Sequence, residues 1–124
     1  MIDTHCHLTE PALRIRLDDV VRRAVDAGVS GFVVPAVDLA DSADAIGIAR
    51  GRTVLRPAAG IHLMWADFAD ETECYRAVRQ IADLIDANRD LVAAVGEIGL
   101  DDEERTGGSK VNEGSRTLTF KLQL

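Results

Sequence analysis

Four short apolar runs, separated by stretches with helical spacing, are the feature that most constrains the fold of this chain. Two of the runs, GVSGFVVPAV (residues 28–37) and LVAAVGEIGL (residues 91–100), are almost continuous in apolar residues. Runs of this kind are typical of strands that are buried on both faces of a parallel sheet. The runs at residues 1–7 and 53–62 are more polar, and we expect them to form the first and third strands.

Apolar residues recur at helical spacing in the first two intervals between the runs. The first interval begins with Pro11 and predicts one helix that ends at Gly28. Its apolar stripe is Leu13, Leu17, Val20, Val21 and Ala24. The second interval predicts a helix over residues 39–50, ended by Gly51.

The third interval predicts the strongest helix of the chain. Asp70 followed three residues later by Glu73 forms a variant of the capping box, and an apolar stripe that includes Tyr75 and Ile81 continues to Asn88. The resulting order of strand and helix in regular alternation favours right-handed crossover units on a parallel sheet. We therefore predict an α/β fold with four parallel strands.

Length and charge limit the classes of function. The chain has 124 residues, which predicts a single domain over residues 1–124, and its formal net charge is -7. Such a charge provides no broad basic surface for a phosphate backbone, so contact with nucleic acid would need a local positive centre, such as a bound cation. No apolar run approaches the roughly 20 residues that span a bilayer, and we expect a cytoplasmic protein that does not contact membranes. Cys6 and Cys74 are expected to be reduced packing residues.

The last quarter of the chain has a different composition. Residues 101–114 are polar, rich in glycine and without periodicity, and they predict a flexible surface loop. Residues 115–124 alternate apolar and polar side chains as a strand does, although they stand where the next helix should begin. Both structures remain open for this segment.

His5 and His7 are the first candidates for a chemical function. In a strand, side chains two residues apart share a face, so these two imidazoles should point together while Cys6 points the other way. Two imidazoles so placed can hold one metal ion. The alternative is that they are two polar residues at a strand end without a ligand.

His62 and Glu97 stand at the ends of the third and fourth predicted strands. In a parallel sheet these ends meet at one edge, where α/β folds place their active sites. His5, His7 and Glu97 would then form a set of two histidines and one carboxylate that suits a divalent ion such as zinc, manganese or iron. Glu97 could instead be a buried acid paired with an arginine, and His62 could be an outer donor, a substrate contact or a structural residue.

Three motifs in series, DTHCHL, GIH and AAVGEIGLD, resemble those of the TatD-type metal-dependent deoxyribonucleases, a branch of the amidohydrolase-like barrels. The resemblance implies the N-terminal half of a TIM-type (β/α)8 barrel that uses one or two divalent ions, magnesium, manganese or zinc, to cleave phosphodiester bonds in DNA. It also implies that His5 and His7 hold one ion and that Glu97 is catalytic and bridges to the second. His62 and Asp101 would lie beside the site as substrate contacts or outer residues.

The chain departs from the family pattern at three points. Leu63 stands where the family usually has proline, and Asp102 stands where an aromatic residue is usual. The third departure is length, since a complete barrel needs about 250 residues. The two histidines and the catalytic aspartate that the family takes from its later strands have no counterpart here after residue 101.

Three hypotheses of function follow. In the first, the chain is a truncated or split metallohydrolase of the deoxyribonuclease type, weakly active or inactive alone. In the second, it is a half-barrel that binds or assembles with another chain, either a second copy or a complementing C-terminal half. In the third, it is an amidohydrolase that cleaves an amide, an ester or a ring.

Overall fold

The computed structural model describes residues 1–66 and 69–99, with four strands and five helices in those ranges. The strands are β1 (Ile2–Asp3), β2 (Gly31–Val34), β3 (Leu55–Ile61) and β4 (Ala94–Ile98). The helices are α1 (Pro11–Arg14), α2 (Leu17–Asp26), α3 (Leu39–Ala49), α4 (Leu63–Ala66) and α5 (Glu71–Asp86). The predicted loop at residues 101–114, the segment 115–124 and Asp101 lie outside the described residues.

The strands form one parallel sheet in the order β1-β2-β3-β4, as the sequence predicts. Ile2 is paired with Gly31, Phe32 with Leu55, and Ala58 with Ala94, so each strand lies beside its neighbour in sequence. This order is that of the first half of a curled (β/α)8 barrel, and it brings the carboxyl ends of all four strands to one edge.

Most of the apolar core lies between the first three strands and helices α2 and α3. We call this group the large core cluster; it comprises Leu8, Leu17, Val21, Phe32, Val34, Ala36, Ala45, Ile48, Ala49 and Leu55. Leu55 and Val34 are completely buried. Asp38 caps the amino end of helix α3, where its side chain accepts a hydrogen bond from the amide of Asp41. Gly51, with a φ of 75°, follows its end as predicted.

Helix α5 packs on β3 through a second group, the small core cluster, which comprises Ala59, Ile81 and Ile85. The capping box predicted from the sequence is present: Asp70 accepts from the amide of Glu73, and the Glu73 carboxylate accepts from the amide of Asp70. Asn88 follows the helix and accepts a hydrogen bond of 2.7 Å from the guanidinium of Arg50. Tyr75 was expected in the buried stripe, but about half of it is exposed because it lies on the outer side of α5.

The single helix predicted before Gly28 is in fact two helices. Arg16 leaves helical geometry, with φ of -127° and ψ of 25°, and Asp18 and Asp19 then occupy the first turn of α2. Acidic residues are favourable at the amino end of a helix because of its dipole, which supports a new start at this position. Gly28 ends α2 with a φ of 98°, as expected.

Two strand predictions also need correction. The first strand is confined to Ile2–Asp3, because the side chain of Asp3 accepts the amide hydrogen of His5 in place of a ladder partner. The fourth strand is half-buried or exposed, not fully buried. In the described part of the chain β4 has a neighbour on one side only, so its valine and isoleucine side chains remain partly accessible to solvent.

Among the described residues, no helix combines the length and the apolar character that would be needed to cross a membrane.

Candidate metal centre

His5, His7 and Glu97 meet at the carboxyl edge of the sheet. The Nε2 atoms of His5 and His7 are 3.2 Å apart, and the Glu97 Oε1 atom lies 2.6 Å from the first and 3.3 Å from the second. The structure thus brings together three sequence-predicted residues that are separated by up to 92 positions in the chain. Of the three side chains, that of His5 is the most exposed.

The chemistry of the three atoms fits a divalent cation. A tetrahedral ion with bonds of about 2.0–2.1 Å separates its ligand atoms by roughly 3.3 Å, which matches two of the three distances. The third, between His5 and Glu97, is the length of a charge-assisted hydrogen bond and would have to lengthen by roughly 0.7 Å to accept an ion. Two imidazole nitrogens and one carboxylate oxygen form a set of donors typical of zinc and manganese sites.

The chain between β1 and Leu8 fixes the direction of both histidines. The amide of Cys6 donates to the carbonyl of Val33 over 3.2 Å, which keeps this segment extended beside β2. The Cys6 side chain packs against the large core cluster, so the neighbouring imidazoles point to the opposite side. Burial, with a smaller contribution from the charge of Asp3, raises the pKa of the Cys6 thiol to about 11. The thiol therefore stays protonated at neutral pH and serves as a packing group.

Glu97 is held by the loop that follows β2. Its amide donates to the carbonyl of Ala36 over 2.8 Å, and the Ala36 amide donates to the carbonyl of Gly96 over 3.4 Å. No arginine contacts the carboxylate among the described residues: its partners are the imidazoles of His5, His7 and His62. Within the described ranges the structure therefore gives Glu97 histidine partners and not the arginine of the alternative interpretation.

His62 faces the second oxygen of the Glu97 carboxylate. Its Nε2 atom lies 3.4 Å from Oε2, while its Nδ1 atom accepts a hydrogen bond from the amide of Met64. Because Nδ1 accepts, the ring proton of the neutral form is on Nε2 and points towards the carboxylate. The His62 amide donates to the carbonyl of Val37 over 2.7 Å, so the same loop that holds Glu97 also holds His62.

An open depression of about 390 Å³ adjoins these residues. Its walls include His7, His62 and Glu97 from the cluster and the apolar side chains of Met64 and Trp65 from α4. No lysine or arginine belongs to this lining in the described ranges. A ligand in this depression would meet an acidic and partly apolar surface, unless a cation is present.

A larger depression of about 620 Å³ lies near the junction of α1 and α2, away from the cluster. Its arginines already have acidic partners: Arg14 lies 2.7 Å from Asp44, and Arg52 lies 2.8 Å from Asp18. The partner carboxylates offset the charge of these arginines, so this depression has little net charge with which to attract an anionic ligand. We therefore place the functional site at the histidine cluster.

The loop residues Ala36 and Val37, which hold Glu97 and His62, were not predicted from the sequence. They act through backbone groups, which leave no pattern of side chains to recognise. Their position directly after β2, at the edge where the other candidates lie, is the one clue that the sequence offers. Asp101 lies outside the described residues, so its predicted place beside the site stays a prediction.

Comparisons with known proteins agree with this geometry. Residues 2–118 match the model of the family described as TatD related DNase. The chain is 31% identical over 100 residues to the uncharacterized metal-dependent hydrolase YjjV of Escherichia coli K12, which covers 81% of this chain and 37% of that protein. It is 33% identical over 101 residues to the 3'-5' ssDNA/RNA exonuclease TatD of Shigella flexneri, covering 82% and 36%.

The fold has a counterpart of known structure. The crystal structure of the TatD homologue YjjV from Escherichia coli K12 superposes with a TM-score of 0.72 and 30% sequence identity, over 85% of this chain and 39% of that one. The chain therefore spans less than two fifths of the length of the relatives that it matches.

Proposed function

Because this chain belongs to the TatD related DNase family, we propose that it carries one half of the metal centre of a cytoplasmic phosphodiesterase that cleaves DNA. The observation that carries the proposal is the convergence of the His5, His7 and Glu97 ligand atoms within 4.8 Å of one another. The similarity to a 3'-5' ssDNA/RNA exonuclease supports a nucleic-acid substrate.

In this proposal His5 and His7 would hold one divalent ion as neutral imidazoles, and Glu97 would be both a ligand and the catalytic carboxylate, shared with a second ion. The chemistry that such an ion would supply is activation of water at neutral pH and compensation of the charge on the phosphate. One or two ions of magnesium, manganese or zinc would satisfy the complete metal centre, and this chain alone would hold one of them. The two nitrogen donors favour zinc or manganese over magnesium, which prefers oxygen ligands.

His62 orients the carboxylate. Its Nε2 proton faces Oε2, which leaves Oε1 directed at His5 and His7. Hydrogen-bond donors in this position behind a ligand keep the ligand in place and raise metal affinity. We propose that Asp101 also lies beside the site, as an outer residue or a substrate contact.

The charges around the depression support a role for the ion in substrate binding. Glu10, Asp38 and Glu97 belong to the lining, and this acidic surface alone would repel a phosphate. A bound divalent cation would offset much of this charge and supply a local positive centre for the phosphate. The ring of Trp65 and the side chain of Met64 would then offer an apolar wall for a nucleobase.

A second candidate function is assembly with another chain. In the described part of the chain β1 and β4 each pair with one neighbour only, and Ile2 and Ile98 on these strands are 61% and 66% exposed. Unpaired edges with apolar side chains favour pairing with further strands. The partner would be a second copy or a complementing C-terminal half.

The test is hydrolysis of a single-stranded oligonucleotide and of bis(p-nitrophenyl) phosphate by the whole chain, with magnesium, manganese or zinc added and the mass in solution measured. We expect activity to depend on the ion, to be confined to the associated species and to disappear in Glu97→Gln. The matched control is Asp26→Asn, which removes a carboxylate from an exposed position at the end of α2 and should leave activity unchanged.

If the chain is a monomer without activity, ligand binding is measured instead. Thymidine 5'-monophosphate should bind only when the ion is present. The fluorescence of Trp65, the single tryptophan of the chain, reports this binding.

Activity that survives Glu97→Gln or a chelator would contradict the proposed site. Cleavage of p-nitrophenyl acetate without cleavage of phosphodiesters would support an amidohydrolase instead.

A further inference from the structure

The carboxylate of Glu97 is carried by a bulge in the sheet. Ala59 is paired with Val95 and Ile61 with Ile98, so the single residue Gly60 on β3 lies opposite two residues on β4. Those two residues are Gly96 and Glu97. Bulges of this kind re-aim a side chain, and here the side chain is the proposed catalytic carboxylate.

Gly60 lies in close contact with the bulge. A Cβ atom at this position would lie 2.7 Å from the carbonyl carbon of Gly96 and 2.9 Å from that of Glu97, and it would collide with the Glu97 carbonyl oxygen. The side of β4 that carries Glu97 therefore rests directly on the Gly60 backbone. Any movement of Gly60 would displace Glu97.

The backbone groups of Gly60 are satisfied by a side chain from a helix. Its amide donates to the hydroxyl of Ser42 over 3.2 Å, and that hydroxyl lies 3.4 Å from the Gly60 carbonyl oxygen as a donor. Ser42 is fully buried on α3, between the sheet and the rest of the helix. A buried amide and carbonyl that lost this hydroxyl would have to find other partners.

We infer that Ser42 is a positioning residue for Glu97. Its hydroxyl clamps Gly60, Gly60 supports the bulge, and the bulge directs the carboxylate at His5 and His7. The role in metal affinity rests on the proposed function, whereas the clamp itself is a property of the fold that can be measured without a metal.

The clamp is tested first in the metal-free chain, with Ser42→Ala compared with Ile48→Val, which removes one methyl group at another buried position of α3. Amide hydrogen exchange is measured by NMR at Glu97, which donates to Ala36, and at Phe32, which donates to Val54. If Ser42 acts locally, Ser42→Ala lowers the protection of Glu97 about tenfold more than that of Phe32. Ile48→Val should lower both to the same extent, since it only weakens the large core cluster.

The link to the metal is tested by a double-mutant cycle. Ser42→Ala should weaken zinc or manganese binding about tenfold, at the low end of what outer residues contribute, and should have no further effect in a Glu97→Gln background. An equal loss in both backgrounds would overturn the inference, as would equal loss of protection at Glu97 and Phe32. If Ser42→Ala does not fold, Ser42→Cys replaces it, because cysteine has a similar shape and a weaker hydrogen-bond donor. The loss of protection at Glu97 is again compared with that at Phe32. Absence of metal binding by the unmodified chain would contradict the proposed function, while the exchange measurement would still decide the role of Ser42.

Discussion

The two core clusters of the described residues differ in size, and they support different parts of the candidate metal centre: the histidines lie on the large-cluster side and Glu97 on the small-cluster side. The large core cluster contains ten buried residues, and Cys6, which lies between the two histidines, packs against it. The small core cluster contains three, and it lies beneath the strand pair that carries Glu97. The histidines are thus placed by extensive packing, whereas the carboxylate depends on backbone hydrogen bonds of β4 with Ala36 and on the close contact between Gly60 and the bulge.

The largest expected difference between the two clusters is in the free energy of unfolding that each loses when a buried side chain is truncated and leaves a cavity. Leu55→Ala, at a fully buried position of the large core cluster, should lower the free energy of unfolding by about 4 kcal/mol. Ile85→Ala should lower it by about 2 kcal/mol, because its site is close to solvent and can relax. Urea denaturation of the two variants measures this difference. Equal losses would show that the two clusters form one uniform core.

A smaller effect is expected at the start of α5. Asp70→Ala removes one arm of the capping box and should cost about 1 kcal/mol. If the two clusters unfold locally and independently of each other, the protection of amide hydrogens from exchange should fall along α5 and stay unchanged along α3. The matched variant Asp38→Ala, which removes the cap of α3, should do the reverse. Equal loss of protection in both helices for either variant would show that the sides unfold as one unit.

The smallest effect is expected on the surface of the large-cluster side, at Asp19. The hydrogen bond from Arg22, supported by Arg16, lowers the pKa of this exposed carboxyl group. Its contribution to stability is therefore present above the pKa of the unfolded chain and is lost as the pH falls through the lower pKa of the folded state. Asp19→Asn should lower the melting temperature slightly at pH 7, and the difference should vanish near pH 2. A difference that persists in acid would have another cause.

The sequence was sufficient to predict the order and type of the main elements. Period-two and helical patterns are local, and so are the capping residues, which is why β2, α3 and the capping box of Asp70 were found where expected. The burial of β4 was predicted wrongly because a run of apolar residues is the same whether or not a neighbouring strand covers it. The break at Arg16 was missed because the apolar stripe continues across it.

The site was predictable to the extent that it is built from side chains with an evident chemistry. His5, His7, His62 and Glu97 were recognised as candidates because strand ends of a parallel sheet meet at one edge. The supports of Glu97 were not recognised, since Ala36 and Gly60 act through the backbone and Ser42 is an ordinary small residue in a helix. Residues that act in this way can be recognised only from atomic positions, which the structure provides.

Isothermal titration of the whole chain with zinc and with manganese tests the metal centre most directly. We expect one weakly held ion per chain, and we expect His5→Ala or His7→Ala to lower its affinity by more than about 100-fold, beyond the effect of outer residues. Asp26→Asn, at an exposed carboxylate near the opposite edge of the sheet, should bind as the unmodified chain does. Two tightly held ions per monomer, or binding that is indifferent to the loss of either histidine, would contradict the proposed centre.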